Sequence, residues 1–93
     1  SPSFIIYAYQ SSSLRPTKGG LSFGSRVHVD SPRFIADYIT NVGVIFALDD
    51  FTDENGATLY LKGSHLSESV PTDDFFYSNA SSALCKAGDM IVF

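Results

Sequence analysis

Short apolar runs with a period of two, separated by clusters of turn-forming residues, constrain the fold of this chain more than any other feature. Alternation at that period puts successive side chains on opposite faces of a strand, and Val, Ile, Phe and Tyr favour strands. The predicted strands are residues 4–9, 23–30, 38–48, 57–62 and a last strand that begins at Met90. This pattern predicts an all-β fold with little helix, either an antiparallel barrel or a double-sheet jelly roll.

The longest run, residues 38–48, is apolar almost throughout, which predicts a strand that is covered on both faces. Asp49 and Asp50 end it, and Asn55-Gly56 follows, a dipeptide that favours hairpin turns because both residues tolerate positive φ. We therefore expect residues 57–62 to return beside the long strand, with the two aspartates capping the hairpin.

The remaining segments are predicted to be connections. Residues 66–82 contain Pro71 and mixed aromatic and acidic residues without clear periodicity, which predicts a long irregular excursion. The last turn, Ala87-Gly88-Asp89, precedes the terminal strand, and the Asp89 side chain is expected to close it by bonding to backbone.

Charge and composition exclude several classes of partner. The net charge is −4, and the six basic residues are scattered, so no patch can neutralise a run of phosphates. We therefore expect no nucleic acid and no membrane partner, and the oligomeric state is left open. A single cysteine and the lack of a secretory signal pattern favour a cytoplasmic location.

Length and chain ends bear on domain organisation. Ninety-three residues make at most one small domain. The chain begins with Ser-Pro-Ser and stops inside the apolar run from Met90 to Phe93. We expect residues 1–93 to be one partial jelly-roll domain that lacks its C-terminal strands.

The triplet His28-Val29-Asp30 lies in the second predicted strand. Residues two apart project from the same face of a strand, so the imidazole of His28 and the carboxylate of Asp30 are expected to meet. One imidazole and one carboxylate, completed by a second imidazole, form the facial triad that holds non-heme Fe(II). Alternatively, in a chain with ten acidic residues, His28 and Asp30 are ordinary polar residues of a strand.

Five motifs stand in a fixed order after residue 24. They are His28-Val29-Asp30, Phe46-Ala47-Leu48-Asp49-Asp50, Asn55-Gly56-Ala57-Thr58-Leu59-Tyr60-Leu61, Lys62-Gly63-Ser64-His65 and Ala87-Gly88-Asp89-Met90-Ile91-Val92-Phe93. In this order they resemble the phytanoyl-CoA dioxygenase family over residues 24–93. The resemblance implies a double-stranded β-helix (jelly roll, cupin-like) that binds Fe(II) and 2-oxoglutarate and uses dioxygen to hydroxylate a small organic substrate.

The same resemblance implies roles for individual residues. It assigns His28 and Asp30 to iron, and it places the second ligand histidine and the arginine that binds 2-oxoglutarate after Phe93. Gln10 corresponds to a glutamine that contacts 2-oxoglutarate in some relatives, although a solvent-exposed strand end explains it equally well. His65 is expected at the site entrance or bonded to loop backbone rather than on the metal.

The chain departs from the family pattern at Lys62, where proline is usual, and at Ile45, where many members have tryptophan. These differences affect the expected substrate class rather than the fold or the metal. The alternative to an oxygenase is a non-catalytic cupin-like binding module or a degenerate family member.

Overall fold

The computed structural model describes residue 3 and residues 5–13, 26–31 and 33–93. The elements in chain order are β1 (Val44–Phe46), β2 (Leu59–Tyr60), a 3₁₀ helix (Ser64–Leu66), α1 (Asp73–Asn79), β3 (Ser81–Ser82) and β4 (Met90–Val92). Strand and coil dominate the described residues, which is compatible with the predicted β-rich fold. Within these ranges the strands form two sheets of two strands each and neither closes, so no complete jelly roll is seen.

The first sheet pairs β1 with β4 in antiparallel register, with Ile45 opposite Ile91. Reciprocal N–H···O bonds between Gly43 and Phe93, of 2.7 and 2.9 Å, extend the ladder at one end. The same register returns further along, where Phe51 bridges Cys85 through bonds of 2.8 and 3.2 Å. Residues 43–51 and 85–93 are therefore two arms of one antiparallel ribbon, and β4 confirms the predicted strand that begins at Met90.

The second sheet, β2 with β3, continues this ribbon after a change of register. From the Phe51–Cys85 bridge to the bond in which Ala83 donates to Thr58, one arm advances seven residues and the other two. Five extra residues, 52–56, therefore bulge out of one arm, and a bond from the Ala57 N–H to the Thr52 carbonyl (3.1 Å) closes the bulge.

The hairpin prediction for Asn55-Gly56 is therefore wrong in its partners. The dipeptide does turn, and Gly56 has φ 84°, but β2 pairs with β3 and not with β1. The physical reason is that the bulge 52–56 carries the chain forward along the same ribbon rather than back beside β1, so residues 58–60 meet residues 81–83.

Asp50 joins the two arms where the ladder is interrupted. Its Oδ1 accepts from the backbone N–H of Ala87 and its Oδ2 accepts from Nζ of Lys86, both at 2.8 Å. Asp50 thus makes a contact across the ribbon, whereas capping of a hairpin was expected. Asp89 behaves as predicted, because its Oδ2 accepts from the Lys86 N–H at 2.8 Å and closes the turn.

These bonds shift both ionisable groups toward their charged forms. The hydrogen bond from Lys86, followed by that from the Ala87 backbone, lowers the pKa of Asp50. The hydrogen bond to Asp50 and the attraction of its charge raise the pKa of Lys86. Both side chains are exposed enough for solvent to screen the attraction between their charges. The hydrogen bonds therefore contribute more to this contact than the charge attraction does.

The predicted irregular excursion contains a seven-residue helix, α1, which the absence of periodicity failed to indicate. Thr72 caps its N-terminus by accepting from the Phe75 N–H at 3.3 Å, and Asp73 and Asp74 occupy the first turn. A threonine followed by two acidic residues, directly after Pro71, is the local signature that could have predicted this start.

Other predicted strands lack partners in the described part of the chain. Residues 5–9 pair with no strand there, and β1 covers only three residues of the predicted 38–48 strand. The segment before β1 instead contains a turn in which Tyr38 N–H bonds to the Ile35 carbonyl, with Asp37 at φ 61°. Residues that favour strands form one only when a neighbouring strand pairs with their backbone N–H and C=O groups.

The described residues bury little apolar surface. Of the described apolar residues, only Ala47 and Ala57 are buried. Val44, Phe46 and Met90 lie on one face of the ribbon and are about half exposed. A two-stranded ribbon is marginal alone, because stable sheets need a covered apolar face. No helix in the described ranges is both long and apolar enough to cross a membrane.

Replacing Asp50 is expected to loosen the ribbon at its interruption. Asp50→Ala removes both acceptors and should speed amide exchange at Ala87 and lower the melting temperature of the intact protein. Asp50→Asn keeps an acceptor and should have a smaller effect, and Asp49→Asn, the matched control, should have none. Equal effects of the Asp49 and Asp50 changes would contradict the assigned role.

The same contact should depend on pH. Because the folded pKa of Asp50 is lowered, its contribution is present above the ordinary carboxyl value of about 3.9 and is lost as pH falls below it. Because that of Lys86 is raised, its contribution is complete below about 10.4 and is lost at higher pH. Protection of the Ala87 amide, compared between the wild type and Asp50→Asn, measures the acid limit, and the melting temperatures of the same two proteins at alkaline pH measure the other.

Removing the α1 cap should destabilise that helix selectively. Thr72→Ala is expected to cost about 1 kcal/mol, because the Phe75 N–H loses its acceptor. Thr72→Ser retains the hydroxyl and should restore most of this stability. Amide exchange within α1 provides the measurement, and identical exchange in the alanine and serine variants would show that the cap contributes nothing.

Candidate metal centre

The segment that carries His28 and Asp30 is not a strand. Residues 23–25 of the predicted strand lie outside the described residues, and residues 26–30 form no ladder there. The backbone bends at Arg26 and again at Asp30. The two side chains nevertheless meet, with Nε2 of His28 3.3 Å from Oδ1 of Asp30. A bent loop therefore brings together the groups that strand geometry was expected to align.

A backbone carbonyl orients the imidazole. Nδ1 of His28 lies 2.7 Å from the carbonyl oxygen of Arg26. Because a carbonyl oxygen only accepts, Nδ1 carries the proton and donates it. In the neutral ring, Nε2 is then the atom with the lone pair, and this is the atom that approaches the carboxylate. Metal-binding histidines are commonly fixed in this way, with the second nitrogen donating to an oxygen.

The lone pair of Nε2 and the carboxylate oxygen repel each other, so their approach is favourable only when a positive charge lies between them. A proton on Nε2 supplies it and makes an ion pair of imidazolium and carboxylate. A metal cation supplies it equally, and nitrogen or oxygen ligands bind first-row ions at about 2.1 Å. Since 3.3 Å is shorter than two such bonds, one ion can contact both atoms. The donor pair therefore fits a metal, and it fits a simple ion pair as well.

The pair is accessible from solvent, with 32% of the His28 side chain and 54% of the Asp30 side chain exposed. The next residue, Ser31, is turned inward by comparison. Its Oγ lies 3.4 Å from the Arg33 N–H and 3.5 Å from the Thr40 hydroxyl, both long contacts. They place the loop beside the segment that leads into β1. Ligands can therefore reach the pair without any opening of the ribbon.

The other candidate residues do not join the pair in the described part of the chain. No group of three His, Cys, Asp or Glu side chains there could hold a metal. His65 lies in the 3₁₀ helix and Gln10 in the extended segment 5–13, both exposed. No hydrogen bond or ion pair connects either residue to His28 or Asp30 among the described contacts. The roles of Gln10 and His65 remain predictions.

Sequence reasoning missed the part played by Arg26. Its contribution is a backbone carbonyl, which every residue possesses, so no residue type or spacing could have pointed to it. Only the bend that turns the carbonyl of residue 26 toward the ring of residue 28 creates the contact.

Comparison with known proteins adds three relatives. Two proteins named as uncharacterized, from Mycobacterium bovis and Mycobacterium tuberculosis, are each 39% identical over 71 residues, which is 76% of this chain and 26% of theirs. Dioxygenase cdmA of Talaromyces verruculosus is 38% identical over 55 residues, 56% of this chain and 17% of its own length. The chain spans about a quarter of the length of the mycobacterial relatives. No solved structure gives a significant match.

The decisive comparison is with protein families. The family model for phytanoyl-CoA dioxygenase matches residues 6–93, nearly the whole chain. The match includes the His28–Asp30 loop, both arms of the ribbon and the connection between them. The resemblance noted in the motifs therefore extends through the sequence, and the chain belongs to the phytanoyl-CoA dioxygenase (PhyH) family.

Proposed function

We propose that the protein containing this chain is a non-heme Fe(II)- and 2-oxoglutarate-dependent dioxygenase that hydroxylates a small organic substrate. Membership of the phytanoyl-CoA dioxygenase family and the relative named a dioxygenase support an oxygenase. The observation that carries the proposal is the approach of His28 Nε2 to Asp30 Oδ1 at 3.3 Å. These are two of the three ligands that a facial triad for Fe(II) requires.

Each residue of the proposed centre has a separate task. His28 offers a neutral nitrogen, and the Arg26 carbonyl keeps the proton on the opposite ring nitrogen. Asp30 offers an anionic oxygen that offsets part of the charge of a divalent cation. If Fe(II) and 2-oxoglutarate bind, dioxygen would be the oxidant: decarboxylation of 2-oxoglutarate to succinate would take one of its oxygen atoms and leave the other for a substrate C–H bond.

The proposal makes demands on the rest of the protein. A second histidine must complete the metal face, and an arginine fork must bind the distal carboxylate of 2-oxoglutarate. No second histidine joins His28 and Asp30 as a metal-binding group in the described residues. We also propose that the ribbon is part of a jelly roll, because both of its faces are apolar: Ile45 and Ile91 on one, Val44 and Phe46 on the other.

Turnover tests the activity directly. The intact protein should form succinate from 2-oxoglutarate only when Fe(II) is present, and His28→Ala and Asp30→Ala should abolish this. His65→Ala is the matched histidine control and should retain succinate formation. Loss of activity in the His65 variant as well would assign that residue to the metal or to folding.

Metal affinity separates the oxygenase from a non-catalytic module. Co(II), which replaces Fe(II) without oxidising in air, should bind the intact protein. His28→Ala should weaken binding by more than the ten- to hundredfold that loss of an outer contact costs. Metal binding without turnover would favour the cupin-like module. Absence of both would mean that His28 and Asp30 form only an ion pair.

A further inference from the structure

Residues of the connection between the two arms of the ribbon, residues 61–80, line a solvent-open cavity of about 560 Å³ on the surface. The segment that contains the 3₁₀ helix forms one wall, and α1 forms the other. Cavities of this volume accommodate small organic ligands. None of the lining residues belongs to the His28–Asp30 loop, so this cavity is a separate feature.

Polar groups of the lining are available to a ligand. The hydroxyls of Ser64 and Ser69 form no hydrogen bond within the described part of the chain. The Ser67 hydroxyl accepts from the Ser69 N–H at 3.2 Å, which leaves its own proton to donate. Asn79 is held in place because its Nδ2 donates to the Phe75 carbonyl at 2.8 Å. The cavity therefore presents several hydrogen-bond donors on a positioned framework.

The charge of the lining has one sign. Among the described residues that line the cavity, Lys62 is the single charged one and none carries a carboxylate. Its ammonium group forms no ion pair with any described residue. Phe75 and Pro71 supply apolar parts of the same lining. An ammonium group and hydroxyls beside an aromatic ring match a ligand with an oxyanion at one end and an apolar body.

We propose that the cavity between the 3₁₀-helix segment and α1 binds a small organic anion. Lys62 and the serine hydroxyls contact its carboxylate or phosphate, and the body of the ligand lies against Phe75. The proposal does not depend on iron or on oxygenase activity.

Binding of four probes to the intact protein tests this proposal. Phenyl phosphate and phenylacetate combine an anion with a ring, benzyl alcohol has the ring alone, and inorganic phosphate has the charge alone. Phenyl phosphate and phenylacetate should change the amide chemical shifts of residues 62–79. Benzyl alcohol and inorganic phosphate should change them less. Whichever of phenyl phosphate and phenylacetate binds with the higher affinity shows whether the site prefers a phosphate or a carboxylate. Equal binding of benzyl alcohol, or no shifts in this segment, would overturn the proposal.

Matched variants assign the charge contact. Lys62→Gln should weaken phenyl phosphate binding about fivefold, the upper range for an exposed ion pair. Lys62→Arg should retain binding. Arg33→Gln changes the net charge equally at an exposed position outside the cavity and should leave affinity unchanged. Equal weakening by the Lys62 and Arg33 changes would show a general effect of charge and would contradict a site at Lys62.

Discussion

The antiparallel register between residues 43–51 and 85–93 is the constraint on which the described structure depends. Ladder bonds hold both ends of this stretch, and the Asp50 carboxylate spans the gap where the two arms leave the ladder. A side chain thus supplies the bonds that the backbone cannot make there. Because the arms are joined, the residues between them, which include the 3₁₀ helix and α1, are closed into a loop.

The candidate metal centre is built on a different principle from the ribbon. No ladder holds residues 26–30 in the described structure, and the pair is positioned by a bend and by the bond from His28 to the Arg26 carbonyl. Loops hold ligands less rigidly than strands do. A cation bound between Nε2 and Oδ1 would itself order this loop, so metal binding and local structure should be coupled.

The exposed apolar face of the ribbon and the family membership are consistent with each other. Val44, Phe46 and Met90 form a continuous apolar surface that water covers in the described structure. In a double-sheet fold such a face lies against a second sheet. The chain spans only about a quarter of its mycobacterial relatives, so the activity proposed here concerns the whole protein rather than these residues alone.

The sequence by itself determined the β-rich character, the turns at Gly56 and Gly88 and the terminal strand. These follow from local rules of periodicity and of backbone freedom, whereas the meeting of His28 and Asp30 depends on a backbone bend that strand spacing did not predict. Tertiary structure decided which strands pair, made the Asn55-Gly56 turn a bulge, and gave Asp50 its partners on the other arm. The physical reason is that backbone bonds are alike at every residue, so partner choice depends on which segments meet in space and not on residue type.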